Sequence, residues 1–246
     1  MRTRSARPRH GSRRRPGIPG LAAAAALALA GAPGAAGASE CKLALALALD
    51  ISSSVNDREY AIQRDGLARA LRTPEVIEAM LTPEGTGVAV AVYEWSGYNQ
   101  QDVVIPWTLL DSEVAIRAVA DRLAAHQRPY SDLTTALGKA VEYGARLLAR
   151  APGCSRQVLD ISGDGENNDG VGPGHYRAQG LLDGITINGL VIAGAVPDPA
   201  AYYREQVIQG SGAFLVLARD YGDYPAAIIG KLLREIDREM VLGAAP

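Results

Sequence analysis

Leucine and alanine alternate through Lys42–Leu49, and the run ends on Asp50. Such a stretch has no polar face, so it reads as a strand buried on both sides, inside a sheet that must be covered by helices above and below. The following residues predict the first of those helices. Asn56 is placed as an N-cap, with Asp57, Arg58 and Glu59 in the opening turn and Tyr60, Ile62, Leu67, Ala70 and Leu71 at helical spacing. Thr73-Pro74 breaks it, and Glu75–Leu81 continues as a short second piece.

The same alternation persists to the end of the chain. Gly87–Trp95 predicts a second strand and Asp102–Trp107 a third, with Pro106 restricting that one to an edge or a terminus. Asp111 is expected to cap a helix reaching about Gln127, and a further helix is expected over 135–149. A strand over 157–161 runs into Ser162-Gly163-Asp164-Gly165. Helices over 173–182 and 199–209 then alternate with strands over 186–193 and 213–218, and a last helix is expected from Tyr224 to about Met240. Strands alternating with helical patterns through the whole mature chain predict an α/β fold with a doubly wound, parallel-rich sheet in one domain.

The first 38 residues are different material. Seven arginines precede the Ala/Leu run Leu21–Ala30, and Ala36-Gly37-Ala38 fits a cleavage site. This is the layout of a secretory signal peptide over 1–38, with the domain proper over 39–246. An uncleaved anchor and a basic tail are the alternatives. Twin-arginine export finds only a faint echo in Ser12-Arg13-Arg14-Arg15. Without these residues 18 Lys+Arg face 27 Asp+Glu, a net charge near −9. A surface so acidic opposes phosphate backbones and anionic lipid, so neither a nucleic-acid partner nor a membrane-surface role is expected. No later stretch is apolar enough for a membrane span. The expected location is exported, periplasmic or secreted.

Ligands of doubly wound sheets bind beyond the carboxyl ends of the strands. Two acidic, Ser/Gly-rich loops occupy such ends, 50–54 and 162–168, and Thr134-Thr135 opens the helix between them. Asp50, Ser52 and Ser54 are spaced by two, which lets a loop leaving a strand aim three oxygens at one point. Hydroxyls and carboxylates suit a hard divalent cation such as Mg²⁺. Taken singly, these residues are ordinary turn and cap residues, Thr135 as a helix N-cap included. His126 and His175 read as surface residues. Tyr93, Trp95 and Tyr98 read as core or rim packing, or as lining for a partner surface.

Asp50-Ile51-Ser52-Ser53-Ser54 behind a buried strand resembles the Asp-x-Ser-x-Ser motif of the metal-ion-dependent adhesion site in von Willebrand factor type A domains. Thr135–Val141 resembles the threonine segment opening that family's third helix, and Asp164 matches the aspartate after its fourth strand. The resemblance spans residues 41–242. It is closest to a bacterial family of exported type A-like proteins of unknown function, through Val158–Gly165 and Tyr202–Ile208. It implies a Rossmann-like three-layer fold with a mostly parallel six-stranded sheet and one antiparallel edge strand. It further implies Mg²⁺ or Mn²⁺ held by Ser52, Ser54 and Thr135 through hydroxyls, and by Asp50 and Asp164 directly or through water. An unknown protein partner would offer an acidic side chain to the metal. Two departures stand out. Leu133-Thr134 replaces the glycine before the threonine, which leaves Thr134 as the alternative to Thr135. The usual Thr-Asp-Gly reads Gly163-Asp164-Gly165.

In that topology the strands beginning near Cys41 and Cys154 are parallel neighbours, about 4.8 Å apart. A Cys41–Cys154 disulfide is therefore expected at the end of the sheet opposite the metal. An enzymatic alternative is a Mg²⁺-dependent phosphatase of the haloacid-dehalogenase type, whose GDGxND loop Gly163–Asn168 resembles. Ser52 stands where that chemistry needs its second aspartate, and Asn168 where it needs its last. A third alternative is a type A domain with a purely structural role.

Overall fold

The computed structural model describes residues 40–237. The expected signal peptide, and the part of the expected last helix beyond residue 237, lie outside them. The chain runs β1 (Glu40–Asp50), α1 (Asp57–Ala70), α2 (Pro74–Leu81), β2 (Thr86–Trp95), β3 (Gln101–Leu110), α3 (Glu113–Ala125), α4 (Leu137–Leu148), β4 (Gln157–Gly163) and α5 (Pro173–Ala178). It continues through β5 (Thr186–Ile192), α6 (Pro199–Tyr202), a π-helical turn (Tyr203–Val207), β6 (Leu215–Ala218) and α7 (Tyr224–Ile236). No described helix is long and apolar enough to cross a membrane.

The sheet order is β3-β2-β1-β4-β5-β6. All neighbours are parallel except β3, which lies antiparallel on the edge against β2. Pro106 sits exposed on that edge, where a missing N–H costs no ladder bond, and the pairing with β2 slips beside it.

β1 occupies the centre, and its Leu/Ala alternation sorts the two layers. Leu43, Leu45, Leu47 and Leu49 pack with α1, α2, α3 and α7. Ala44, Ala46 and Ala48 face α4, α5, α6 and the π-helical turn. The alanine face lets α4 approach closely. A Cβ on Gly144 would stand 2.5 Å from Leu159 Cδ1 and 2.6 Å from the Tyr93 hydroxyl. The chain winds outward from β1 through β2 to β3, then returns to lay β4 on the other side of β1. The strand order therefore reverses between β1 and β4, where loops diverge and leave a crevice.

Several boundaries differ from expectation for local reasons. Ser112, not Asp111, caps α3, its hydroxyl accepting from Ala115 N–H at 3.3 Å. The helix expected from Thr135 starts at Leu137, because Thr135 is held outside it by Asn168. The helix expected to reach Leu182 ends at Ala178, before Gly180 and Gly184 with φ of 72° and 77°. The helix expected over 199–209 is one α-turn followed by the π-helical turn.

At the amino ends of β1 and β4 a disulfide joins Cys41 to Cys154, with Cα atoms 4.6 Å apart. Ser155 N–H donates to the Cys41 carbonyl beside it. A second internal staple is electrostatic. α7 buries Lys231 completely, with Nζ 2.6 Å from Asp160 Oδ1 and 2.5 Å from Glu235 Oε1. Asn188 donates to the same Glu235 oxygen at 3.1 Å. Burial, then the charge of Asp160, pushes the Glu235 carboxyl up to about 7.

Two outcomes are expected. Neither thiol should label in the native oxidised protein, and reduction should lower unfolding free energy by about 4–5 kcal/mol in the chain-entropy model, checked by denaturant titration with and without reductant. For Glu235, a folded-state pKa above the unfolded value means the folded chain holds the proton longer. Its contribution therefore falls as pH rises from about 4.5 to about 7. Glu235→Gln should flatten that fall by on the order of 2 kcal/mol, read as unfolding free energy at pH 5 and pH 8.

Candidate metal centre

The crevice between β1 and β4 collects the residues singled out in the sequence. Asp50 ends β1 beside Trp95 of β2, and Leu49 pairs with Ser162 two residues before Asp164. Asp50 and Ser52 are fully buried, Thr135 and Asp164 nearly so, and Ser54 is exposed. The site thus has a closed floor and an open rim.

Its hydrogen bonds form a chain. Ser52 N–H donates to Asp50 Oδ1 at 2.8 Å, a local turn that fixes the first carboxylate. The Ser52 and Ser54 hydroxyls lie 3.1 Å apart, and Ser54 donates to Asp164 Oδ1 at 2.6 Å. Tyr221, which follows β6, donates to Asp164 Oδ2 at 3.1 Å. Asp50 Oδ2 is buried and makes no hydrogen bond. Burial, then the charge of Asp164, raises the Asp50 carboxyl to about 7. The same burial and the charges of Asp164 and Asp50 hold the Tyr221 phenol well above its ordinary value, so it remains a donor.

Thr135 joins from the segment before α4. Its side chain lies against Gly165, whose Cβ, if present, would be 3.9 Å from Thr135 Oγ1. It does not cap α4, since Ala136 occupies the cap position without a side-chain bond. Asn168 places it instead, accepting from Thr135 N–H at 2.8 Å and donating to its carbonyl at 2.9 Å. Asn167 accepts from Gly138 N–H at 2.9 Å, satisfying a free donor of the first turn of α4. Thr134 is exposed, and its hydroxyl donates to Asp169 at 2.6 Å. Of the two threonines, Thr135 is therefore the buried one, packed against Gly165 next to Asp164.

The backbone of the 50–54 loop is clamped by side chains that the sequence did not single out. Gln63 of α1 donates to the Asp50 carbonyl at 2.9 Å. Arg128 Nη2 donates to the Ile51 and Ser52 carbonyls at 2.9 and 3.0 Å. Gln63 had a legible signal, a polar residue on the apolar stripe that includes Tyr60 and Leu67; Arg128 and Tyr221 had none, since each arrives from a distant element. Among the aromatics, Tyr93 and Trp95 are core and Tyr98 is a half-exposed rim residue. His126 departs from the surface reading, its ring lying 3.1 Å from buried Glu94.

The donor set is wholly oxygen. Among the described residues no three His, Cys, Asp or Glu side chains gather, so a cation here would depend on hydroxyls as well as Asp50 and Asp164. An unpaired buried carboxylate oxygen facing a second carboxylate is the environment that a hard cation relieves. At neutral pH the folded chain resists ionising Asp50, so this group's contribution falls as pH rises from about 4 to about 7. Asp164→Asn should therefore stabilise the metal-free protein by on the order of 1 kcal/mol above pH 7, with less gain at pH 5. Thermal melts in chelator at both pH values check this.

The chain's fold has well-matched neighbours among solved structures. The proximal thread matrix protein 1 of the mussel byssus aligns with TM-score 0.60 and 16% identity, over 80% of this chain and 48% of that one. A von Willebrand factor type A protein from Catenulispora acidiphila aligns with TM-score 0.55 and 16% identity, over 80% and 43%. The pilus adhesin SpaC from Lactobacillus rhamnosus GG aligns with TM-score 0.58 and 13% identity, over 81% and 30%. The chain thus spans less than half the length of each. A further structure of the mussel protein has a zinc-occupied MIDAS motif (TM-score 0.58, 13% identity, over 80% and 48%). No curated protein sequence matches the chain. A family model for a protein of unknown function, DUF1194, matches residues 40–240. The chain therefore belongs to the DUF1194 family, and its fold is that of a von Willebrand factor type A domain.

Proposed function

We propose that this protein is a binding module that holds Mg²⁺ or Mn²⁺ with Asp50, Ser52, Ser54, Thr135 and Asp164, and uses the ion to dock an acidic side chain of a partner protein. The single observation that carries this reading is the buried, unbonded Asp50 Oδ2 beside Asp164, with three hydroxyl-bearing residues at the same crevice. The ion, when bound, would supply positive charge to neutralise Asp50 and Asp164 and a Lewis-acidic position for the partner's oxygen. The chain's own residues do the rest. Ser52 N–H and the Ser54 hydroxyl orient the carboxylates, Asn168 holds Thr135 in place, and Gln63 and Arg128 keep the loop from collapsing.

The zinc-occupied motif of the mussel protein and the adhesive role printed for SpaC support the same class of function. Two features favour binding over hydrolysis. The hydroxyl of Ser52, where a haloacid-dehalogenase-type phosphatase needs a carboxylate, lies in the Ser54–Asp164 chain. The histidines of the described residues are engaged elsewhere, His126 with Glu94 and His175 with Gln179. Residues 1–38 are proposed as a signal peptide and the mature chain as exported, a reading supported by the disulfide, which persists in oxidising compartments. The acidic mature surface favours a protein partner over nucleic acid.

Isothermal titration of residues 39–246 with Mn²⁺ and Mg²⁺ tests the reading. Wild type should bind, and a concentration of about 100 Kd should stabilise it by about 2.7 kcal/mol. Asp50→Ala and Ser54→Ala should lose most of that gain while keeping the fold's circular dichroism. Equal binding by wild type and Asp50→Ala would remove the site.

A further inference from the structure

Gly163 occupies an unusual place for a glycine. It ends β4 and is not among the glycines with positive φ, so its backbone does not call for one. Space does. A Cβ at position 163 would stand 2.5 Å from the Tyr203 hydroxyl, 3.0 Å from Asp50 Oδ2 and 3.3 Å from Trp95 Cζ2. The phenol oxygen and the unbonded carboxylate oxygen thus both lie within about one hydrogen-bond length of one point, where a side chain at 163 would begin. Tyr203 is fully buried, and its hydroxyl also has no hydrogen-bond partner. Two orphaned polar atoms that border the same small space in a core are expensive unless a shared water or ligand serves them.

The element that delivers the phenol is itself irregular. Tyr203 opens the π-helical turn Tyr203–Val207, which interrupts the helix begun at Pro199. Such turns are rare and re-aim side chains, frequently at functional sites. In the Thr-Asp-Gly pattern that the 163–165 segment resembles, position 163 would carry a hydroxyl of its own. Here that side chain is missing and a hydroxyl from another element fills its place.

We propose that Tyr203 is a positioning residue for the metal site: its hydroxyl, reaching the space left by Gly163, fixes the orientation of the Asp50 carboxylate through one bridging water. This rests on the metal-binding reading above. It assigns the Gly163 departure a compensating partner on a distant segment of the chain, and it explains why a buried phenol is kept without a partner of its own. Asp50 Oδ1 is fixed by Ser52 N–H; Tyr203 would fix the other oxygen, so that the carboxylate has one orientation when the ion arrives.

The test is a Mn²⁺ titration of the mature protein, read by the electron paramagnetic resonance signal of free Mn²⁺, with metal-free melting temperature measured in parallel. Tyr203→Phe should weaken Mn²⁺ binding about tenfold, the lower end of what a lost second-shell contact costs, while leaving the metal-free melting temperature within a few degrees. Gly163→Ser alone should lower that temperature, since its Cβ meets the phenol oxygen. The Gly163→Ser, Tyr203→Phe double variant restores a hydroxyl beside Asp50 Oδ2 without the phenol-oxygen clash, and should recover most of the lost affinity. Wild-type affinity in Tyr203→Phe would overturn the proposal, as would a loss matched by a general destabilisation of the metal-free protein. No Mn²⁺ binding by wild type would instead overturn the metal reading beneath it.

Discussion

The pairing of β1 with β4 is the constraint on which the rest depends. These strands are distant in sequence, yet their register sets both ends of the molecule at once. Leu49 opposite Ser162 brings Asp50 and Asp164 to one crevice. Ala44 opposite Gln157 brings Cys41 and Cys154 together at the other end, where the disulfide closes a loop of 113 residues. A slip of one residue would invert every side chain of β1, sending the leucines to the tight layer that only alanine fits. The Leu/Ala alternation therefore guards the register, and the register builds the site.

The interior shows how this chain treats paired carboxylates. Asp160 and Glu235 are buried together, and Lys231 lies between them as a built-in cation. Asp50 and Asp164 are also buried together, but the groups that act on Asp50 include no basic side chain. What surrounds them is a ring of hydroxyls and one unbonded oxygen. The two clusters differ in the origin of the compensating charge. Where α7 can deliver a lysine, the charge is covalent and permanent. At the crevice no basic side chain acts on Asp50, and burial beside Asp164 raises its carboxyl to about 7 instead. This contrast supports the metal reading on grounds independent of the motif.

Much of this was legible in the sequence, and the limits are physical. The strand–helix alternation, the edge position implied by Pro106 and the Asp50–Ser54 loop are local or short-period signals, and local signals survive without coordinates. Helix ends depart from the sequence pattern where a side chain from elsewhere decides them. Thr135 looks like an N-cap until Asn168 takes both of its backbone groups. The helix after Pro199 looks continuous, because nothing in Tyr203–Val207 announces a π-helical turn. No local signal in the sequence marks Lys231 as the buried cation of the core, which it is. At the site, the residues that follow strands could be read, and Gln63 stands out on its helix; Arg128 and Tyr221 could not be read, nor could the role of Tyr203, because packing alone brings them there.

Those unread residues define a division of labour. The side chains proposed to touch the ion lie on segments that leave strands, while the groups that aim them come from α1, the segment after α3, the π-helical turn and the approach to α7. Loops that carry a site on a rigid scaffold commonly gain reach at the expense of order. Here the order is restored by bonds to loop backbone: Gln63 and Arg128 to the carbonyls of 50–52, Asn167 and Asn168 to the amides around Thr135. Because these clamps act on main chain, they hold whatever the side chains of the loop are doing. The serine and aspartate side chains are thus left free to exchange their mutual hydrogen bonds for a ligand without loosening the fold. A site organised in this way can change occupancy at little structural cost, which is what reversible, metal-dependent docking requires.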